Sequence, residues 1–228
     1  MKVENSLMRM LGFTFTLLPL TFVTAYAEEY SQVSHYSARL FSSGTLVIEA
    51  RVGDLHIEGW DEPRVEVEAE KVVRASSAAK SKPLFDQLRV RLEGGDKEAR
   101  LTTVYPPRSL LRPFRNESNL TVNFEIRMPF DSNLRLKCVD GDVRVHGIVG
   151  REELRVNYGD VEIDVPSLYD LRSLHAHTLL GYVQSDLTGL DQDAAGLQKT
   201  IGFWNEAGTQ DIDIRVRMGG VFIYREGD

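Results

Sequence analysis

The stretch that decides the fold is Leu134-Arg-Leu-Lys-Cys-Val-Asp-Gly-Asp-Val-Arg-Val-His-Gly147. Apolar and charged residues alternate through it, Gly141 interrupts the alternation, and the alternation then resumes. Because successive side chains of a β-strand point to opposite faces, the pattern predicts two half-buried strands joined at a tight corner. A glycine suits this corner because it adopts a positive φ without steric cost.

The same pattern recurs, which makes it an internal repeat. It is centred on six glycines, and the last five are separated by 18, 22, 21 and 17 residues: Gly53, Gly141, Gly159, Gly181, Gly202 and Gly219. Self-similarity at about 20 residues is typical of stacked architectures, in which each unit packs on its neighbours. The sequence therefore predicts an all-β fold built as a solenoid-like or β-helix-like stack of short strands.

Three positions of the repeat predict the interior. Five residues before each glycine stand Ile48, Leu136, Leu154, Ala176, Leu197 and Ile214. Two residues after it stand Leu55, Val143, Val161, Val183, Trp204 and Val221, and four after it stand Ile57, Val145, Ile163, Ser185, Glu206 and Ile223. Alternation places these columns on one face, whereas residues between them, such as Arg135, Lys137 and Arg155, point the other way.

The Gly202 unit is the poorest copy of the repeat. Residues 190–196 form a loop-like insertion, and Lys199 and Glu206 fall in columns that are apolar elsewhere. Either the register slips in this unit or its coil faces water on that side.

Residues 1–27 are typical of an export signal. An apolar run covers residues 11–23, and Ala25-Tyr-Ala27 supplies a small-x-small cleavage pattern. The run is shorter than the about 20 residues that cross a bilayer. We expect cleavage after Ala27 and no transmembrane span in the mature chain, with an uncleaved anchor as the alternative. Export predicts a periplasmic, cell-surface or extracellular location.

The charge balance limits the class of partner. The formal net charge of -7 becomes -8 when Lys2, Arg9 and Glu4 leave with the signal. An acidic balance argues against nucleic acid or an anionic membrane as a general partner, although it does not exclude a local basic patch.

The mature chain has the length of one domain. Residues 28–45 are expected to form an N-terminal lead-in, and 46–228 a single domain. Within it, residues 46–128 should be an antiparallel part, which begins in an antiparallel meander over 40–75. This part should also contain a short helix near 76–88, whose length Pro83 limits, and a Pro/Arg-rich loop at 105–119. Repeat coils should fill 134–228.

Four acidic or imidazole side chains are candidates for chemistry. His175 and His177 leave a strand on one outward face and could ligate a metal if a third ligand came from a neighbouring coil, where Glu153 and Arg155 are expected. Asp211 and Asp213 share an outward face and could serve an acid mechanism on a polysaccharide. Surface pairs without a ligand are the commoner outcome for both motifs.

Other candidates are weaker. Cys138 lies in the inward column of Ala50, Val156, Thr178 and Val216, which predicts a buried thiol rather than a reactive one. Trp60 is expected to close the end of the core, with ligand stacking as the alternative. Three arginines of the Pro-rich loop could bind an anionic group such as a phosphate or an acidic polysaccharide, or could simply be solvated: Arg108, Arg112 and Arg115.

The opening segment 44–61, the Met128-Pro129 turn and the repeated Leu-x-x-x-x-(Asp/Tyr)-Gly-Asp-Val-x-(Val/Ile) resemble the bacterial putative-adhesin family. The likeness covers most of residues 40–223. It implies an exported β-solenoid-like domain at the envelope or surface, and no catalytic residues that could be carried over. The chain departs from the pattern at Gly202-Phe-Trp-Asn and in the Pro/Arg-rich insertion.

No nucleophile elbow, zinc-protease helix, phosphate loop or paired-cysteine metal motif occurs in the sequence. We therefore expect no catalytic, cofactor or metal residues and predict a non-catalytic envelope or cell-surface module that binds protein or glycan, by its flat faces or by an exposed sheet edge. A polysaccharide lyase or hydrolase on a β-helical scaffold is the alternative.

Overall fold

The computed structural model of the chain describes residues 28–106, 119–165, 168–195 and 197–225. No helix in these ranges is long and apolar enough to cross a membrane. The elements in chain order are β1 Glu28–Arg39, β2 Thr45–Val52, β3 Leu55–Trp60, β4 Arg64–Ala75, α1 Ala78–Gln87, β5 Arg89–Gly94, β6 Glu98–Val104, β7 Leu120–Pro129, β8 Asn133–Asp140, β9 Val143–His146, β10 Glu152–Tyr158, β11 Val161–Val165, β12 Leu171–Leu180, β13 Val183–Ser185, β14 Asp191–Ala195, β15 Gln198–Trp204, β16 Gln210–Met218 and β17 Val221–Arg225.

The strands form two mixed sheets, which confirms the all-β class. The strand order of sheet A is β1-β4-β7-β3-β9-β11-β17-β13, and that of sheet B is β14-β15-β12-β16-β10-β8-β2-β6-β5. Within the described residues, both sheets have open edges. One hydrophobic cluster takes buried side chains from both sheets, and these side chains are the inward positions of the alternation.

Five of the six glycine units form coils, each with a strand in sheet B, a glycine corner and a strand in sheet A. They are β2–β3, β8–β9, β10–β11, β12–β13 and β16–β17. Their strands are parallel and in register, so that Leu154 lies opposite Leu136 on one side and Ile214 on the other. The predicted columns are therefore confirmed for these five units, with most of their aliphatic side chains buried in the shared core.

The corner glycines touch one another across the stack. Gly159 has a φ of 130°, and a Cβ built on it would lie 2.2 Å from the carbonyl oxygen of Gly141. A Cβ on Gly141 would lie 2.0 Å from the carbonyl oxygen of Gly53. No side chain larger than hydrogen fits at these contacts, which explains why the repeat is centred on glycine.

The aspartates that follow the glycines join successive corners. Asp54 Oδ1 accepts a hydrogen bond from the Asp142 N–H at 3.0 Å, and Asp142 Oδ1 accepts one from the Asp160 N–H at 2.8 Å. Asp160 Oδ1 in turn accepts from the Gly220 N–H at 2.6 Å. Each aspartate side chain thus joins its own corner to the corner of a neighbouring coil.

The coils do not stack in sequence order. The last coil enters between the third and fourth, because β16 pairs with both β10 and β12. After β13 the chain forms the hairpin β14–β15, which pairs antiparallel with the outer side of β12 and leaves the inner side for β16. The chain therefore does not wind as a simple solenoid from one coil to the next.

The Gly202 unit is not a coil, so its assignment as a repeat was wrong. Gly202 lies inside β15 rather than at a corner, and a Cβ there would meet nothing closer than 4.0 Å. Leu197 and Trp204, expected in inward columns, are 70% and 69% exposed. The unit reproduces the alternation and the glycine, but its glycine contacts no neighbouring corner.

The expected antiparallel part over 46–128 is only partly correct. β2 and β3 form the first parallel coil, so the meander over 40–75 was wrong; Gly53 carries the chain from one sheet to the other. The antiparallel pairs are β1–β4, β4–β7 and β5–β6. The residues expected as a lead-in contain the 12-residue edge strand β1.

The predicted helix is present as α1, which buries Leu88 at its end and packs Leu84 and Phe85 against the core. Ser77 precedes the helix in an extended conformation and makes no side-chain cap. One detail differs from the prediction. Pro83 lies inside the helix instead of ending it, so this helix lacks one internal hydrogen bond.

Candidate functional site

The outward faces of the two sheets carry opposite charge. We call the outward side of β2, β8, β10, β12 and β16, together with residues 151 and 172, the basic face. Its cations are Arg51, Arg135, Lys137, Arg151, Arg155, Arg172, Arg215 and Arg217, and its carboxylates are Glu49, Glu153, Asp211 and Asp213. This excess of positive charge stands out in a chain whose formal charge is -7.

The outward side of β3, β4, β7, β9 and β11 is its counterpart, the acidic face. Its carboxylates are Glu58, Glu66, Glu68, Glu70, Glu125, Glu162 and Asp164, and its cations are Arg64, Arg74, Arg127 and Arg144. The two faces have the same alternating construction, so the charge difference comes from the outward residues alone.

One row of the basic face is almost entirely cationic. Lys137, Arg155, Arg215 and His177 lie directly beside one another on β8, β10, β16 and β12, and Glu49 on β2 ends the row beside Lys137. Adjacent strands are about 4.8 Å apart, so the row presents a positive or imidazole group at each strand spacing. We call these four residues the basic row. Within the described part of the chain, Lys137 makes no ion pair.

Carboxylates hold several of these cations in place. Glu153 lies 3.3 Å from Arg135 and 2.6 Å from Arg155, measured between carboxylate oxygen and guanidinium nitrogen. Asp213 lies 3.0 Å from Arg215 and 3.4 Å from His175. Each carboxylate therefore contacts two cationic or imidazole side chains, and this arrangement fixes their orientation before any ligand binds.

A groove of about 500 Å³ crosses the basic face at the start of these strands. Its lining combines three arginines, two carboxylates and several small polar side chains, and the charged residues are Arg135, Arg151, Arg172, Glu153 and Asp211. A second cavity of about 130 Å³ adjoins it and shares Arg135. The groove thus combines guanidinium donors with hydroxyl and amide groups in one shallow depression.

Asp211 is locked into the groove wall. Arg172 holds it in a two-pronged contact in which Nε lies 2.9 Å from Oδ1, and the Ser173 hydroxyl donates to Oδ1 at 2.6 Å. The hydrogen bond from Arg172 lowers the pKa of Asp211 below its ordinary value. Since a lowered pKa favours the ionised form, the geometry does not suit Asp211 to protonate a leaving group.

Trp204 stands beside the groove. It lies opposite Ser173 in the antiparallel β12–β15 pair, and 69% of its surface is exposed. Sequence reasoning placed this indole in the core. The structure instead leaves an exposed aromatic surface beside β12, the strand that supplies Arg172 to the groove.

The two histidines face outward, as predicted from the columns. His175 lies beside Asp213 and His177 beside Arg215, not beside Glu153 and Arg155, because β16 enters between β10 and β12. Among the described residues, no group of three or more His, Cys, Asp or Glu side chains could hold a metal ion. Asp211 and Asp213 do share an outward face, where they contact different cations.

Cys138 and Trp60 contribute to structure. Cys138 is buried in its predicted column, and burial raises the pKa of its thiol to about 12. Trp60 is half-buried, donates its indole N–H to the Arg64 carbonyl at 2.9 Å and lies under the Arg64 guanidinium, which favours the expected closing role over ligand stacking. Arg108, Arg112 and Arg115 lie outside the described residues.

Behind the groove, Glu152 is a buried carboxyl with 1% exposure. Gln210 Nε2 donates to Glu152 Oε1 at 3.1 Å and to the Ile148 carbonyl at 2.9 Å, whereas Glu152 Oε2 finds no partner in the described structure. Burial raises the pKa of Glu152 to about 8, so the carboxyl is protonated through most of the acid and neutral range.

Sequence reasoning identified the outward residues of the basic face but did not assemble them. A signal was available: the residue four before each corner glycine is Glu49, Lys137, Arg155, His177 or Arg215. The same column counting that predicts the interior therefore predicts the basic row, once the five true coils are recognised.

The solved structures similar to this chain are bacterial. No protein-family model and no curated protein sequence matches it. A putative cell adhesion protein from Clostridium sporogenes is 14% identical, with a TM-score of 0.51, over 86% of this chain and 100% of that one. A putative adhesin from Bacteroides fragilis is 9% identical, with a TM-score of 0.26, over 85% of this chain and 97% of that one. A putative adhesin from Parabacteroides merdae is 11% identical, with a TM-score of 0.23, over 68% of this chain and 69% of that one. The resemblance drawn from the sequence is thus confirmed at the level of the fold, by the similarity to the clostridial protein.

Proposed function

We propose that the protein is an exported, non-catalytic binding module of the cell envelope or cell surface, with an adhesin-like role toward a protein or glycan. The basic face carries this proposal. It spans five strands of sheet B, its charges are oriented by ion pairs within the protein, and it opposes the acidic balance of the whole chain. Such preorganised charge is typical of a recognition surface.

The similarity to a protein named as a putative cell adhesion protein is consistent with this role, since the two chains share a fold over most of their lengths. Fold alone does not imply function, however, and the argument rests on the site. The ionised, arginine-bound state of Asp211 favours binding over acid catalysis.

A glycan array tests this proposal. Purified protein is incubated with immobilised glycans, and both retention and release of shortened products are measured. We expect retention on a subset of glycans with no cleavage. Cleavage would overturn the non-catalytic assignment, whereas the absence of retention on glycans and on envelope proteins together would contradict the binding role.

Export is a separate part of the proposal and has its own test. Expressed with its full leader in a bacterial host, the protein should be recovered outside the cytoplasm. The N-terminus of the recovered chain should be Glu28, as read by mass spectrometry. Recovery of the uncleaved chain from the cytoplasm would contradict export.

A further inference from the structure

We infer that the basic face binds an acidic polysaccharide, laid across the strands of sheet B between the groove and the basic row. This inference rests on the proposed binding function and names its ligand class. The charges of the face require a negatively charged partner, and its remaining side chains select among such partners.

The geometry matches an extended chain that runs across the strands. From β2 to β12 there are four strand spacings of about 4.8 Å, which together span about 19 Å. Arg151 and Asp211 of the groove lie four residues, or about 13 Å, before Arg155 and Arg215 of the basic row. A sugar chain between them can therefore reach arginines on both of its sides.

Guanidinium groups suit the carboxylates of uronic acids because two parallel N–H donors match two carboxylate oxygens. Arg155 and Arg215 are held in orientation by Glu153 and Asp213, and Arg151 is largely exposed with its nearest carboxylate 4.0 Å away. These cations can contact a ligand without first reorganising the surface.

Neutral parts of a sugar also find partners. Thr45, Asn133 and Thr209 line the groove and can exchange hydrogen bonds with hydroxyl groups. Trp204 offers an apolar ring face at the groove's edge, suited to the C–H face of a sugar. Neither feature is needed to bind a simple anion.

The carboxylates within the face disfavour a nucleic acid. Glu153 lines the groove and Asp213 lies two residues before Arg215 of the basic row, so a ligand that crosses there passes over both carboxylates. They would repel a continuous phosphate backbone, whereas they can accept hydrogen bonds from the hydroxyl groups of a sugar chain.

Matched polymers provide the test. Polygalacturonate and its methyl ester have the same backbone and differ in charge, and an oligothymidylate of similar length supplies phosphates instead. Binding of the purified protein to each is measured by calorimetry at moderate salt. We expect binding to polygalacturonate, weakening as salt rises, with little binding to the ester. Equal binding to the ester, or tighter binding to the oligothymidylate, would overturn the inference.

Matched variants locate the site. The triple variant Lys137→Ala, Arg155→Ala, Arg215→Ala removes three cations from the basic row. The control triple Arg74→Ala, Arg127→Ala, Arg144→Ala removes three exposed cations from the acidic face. We expect at least about ten-fold weaker polygalacturonate binding in the first variant, because each exposed ion pair contributes modestly to the binding free energy and three are lost. We expect less than about a two-fold change in affinity in the second variant. An equal loss of affinity in the two triple variants would show that binding depends only on net charge, and would contradict the assignment of the site to the basic face.

The aromatic contact is tested separately. Trp204→Ala should weaken binding of galacturonate oligomers several-fold, whereas Tyr182→Ala, which removes an exposed aromatic at the corner between β12 and β13, should not. Both variants should keep the unfolding temperature of the parent. If the protein is retained on neutral glycans but not on polygalacturonate, the acidic-ligand inference fails while the binding function stands. Retention on no glycan or protein contradicts both.

Discussion

The five coils and the β14–β15 hairpin contain the same local pattern, a glycine set among alternating apolar residues, but they use it differently. In the coils the glycine sits at a corner against the next corner, as Gly159 does against Gly141. In the hairpin Gly202 lies within a strand and touches no corner. The comparison teaches that contact between corners, and not alternation alone, makes a coil of this protein.

The difference also has a functional consequence. Because the hairpin occupies the outer side of β12, the last coil enters between β10 and β12 and brings Arg215 between Arg155 and His177. The hairpin itself leaves Trp204 exposed beside the groove. The irregular unit therefore shapes the basic face, while the regular coils build the scaffold beneath it.

The largest expected loss of stability comes from replacing a corner glycine by alanine. Gly159→Ala should destabilise the protein by about 3 kcal/mol or more, because the new Cβ meets a backbone carbonyl at a positive φ. Gly202→Ala should change stability by less than about 1 kcal/mol, since the nearest atom to the new Cβ, the Leu174 carbonyl oxygen, is 4.0 Å away. Urea denaturation measures both, and similar losses at the two glycines would break the distinction between corner and strand.

The apolar columns should show the same contrast at a smaller scale. Leu154→Ala removes a fully buried side chain and should cost about 3 kcal/mol, within the range for buried leucines. Leu197→Ala, at the equivalent sequence position of the hairpin unit, should cost less than about 0.5 kcal/mol because that leucine is exposed. A large loss of stability in Leu197→Ala would show that Leu197 is buried in the core.

Glu152 is expected to make the stability of the protein depend on pH. Its folded pKa of about 8 lies above the ordinary 4.5, so the folded state holds a proton that the unfolded state releases. This contribution to stability is fully present below the ordinary pKa and is lost as pH rises toward 8. At roughly 1.4 kcal/mol per pH unit, it should decline by about 2 kcal/mol between about pH 6 and pH 7.5.

Glu152→Gln keeps the shape of the side chain and removes its titration. Its denaturation midpoint should therefore depend less on pH than that of the parent protein over this range. The difference between the two pH profiles is the measurement, because other titrating groups are common to both. Parallel profiles would mean that Glu152 does not hold its proton in the folded state.

The smallest effect concerns thiol reactivity. Burial and a pKa of about 12 should make Cys138 unreactive toward a disulfide reagent until the stack opens. A cysteine introduced by Leu197→Cys should react at once on the exposed hairpin. One fast and one slow thiol in that variant are expected; two fast thiols would show that the core column around Cys138 is open.

Much of the fold follows from local sequence because strand alternation and corner glycines act over a few residues. The columns of Leu136, Leu154 and Ile214, the inward Cys138 and the helix at 78–87 were all predictable for this reason. The antiparallel meander was wrong because alternation defines a strand's faces but not its partners. Gly53 leads to the opposite sheet, not into a hairpin.

The spatial order of the coils could not be read from the chain. Whether β16 follows β12 or precedes it depends on which edge of β12 the hairpin covers, and this is a long-range choice. The neighbours of His175 were mispredicted for that reason. The basic row, in contrast, was within reach of column counting, although the groove beside it depends on the side-chain conformations of Arg151 and Arg172.

The position of the last coil is tested most directly by disulfide crosslinking in a Cys138→Ala background. Cysteines replacing Arg155 and Arg215 lie on adjacent, in-register strands about 4.8 Å apart, within reach of a disulfide. Cysteines replacing Arg155 and His177 lie two strands apart, at about 10 Å, beyond that reach. On oxidation the 155–215 pair should crosslink and the 155–177 pair should not. The opposite result would show that the coils stack in sequence order, which would contradict both the fold and the basic row built on it.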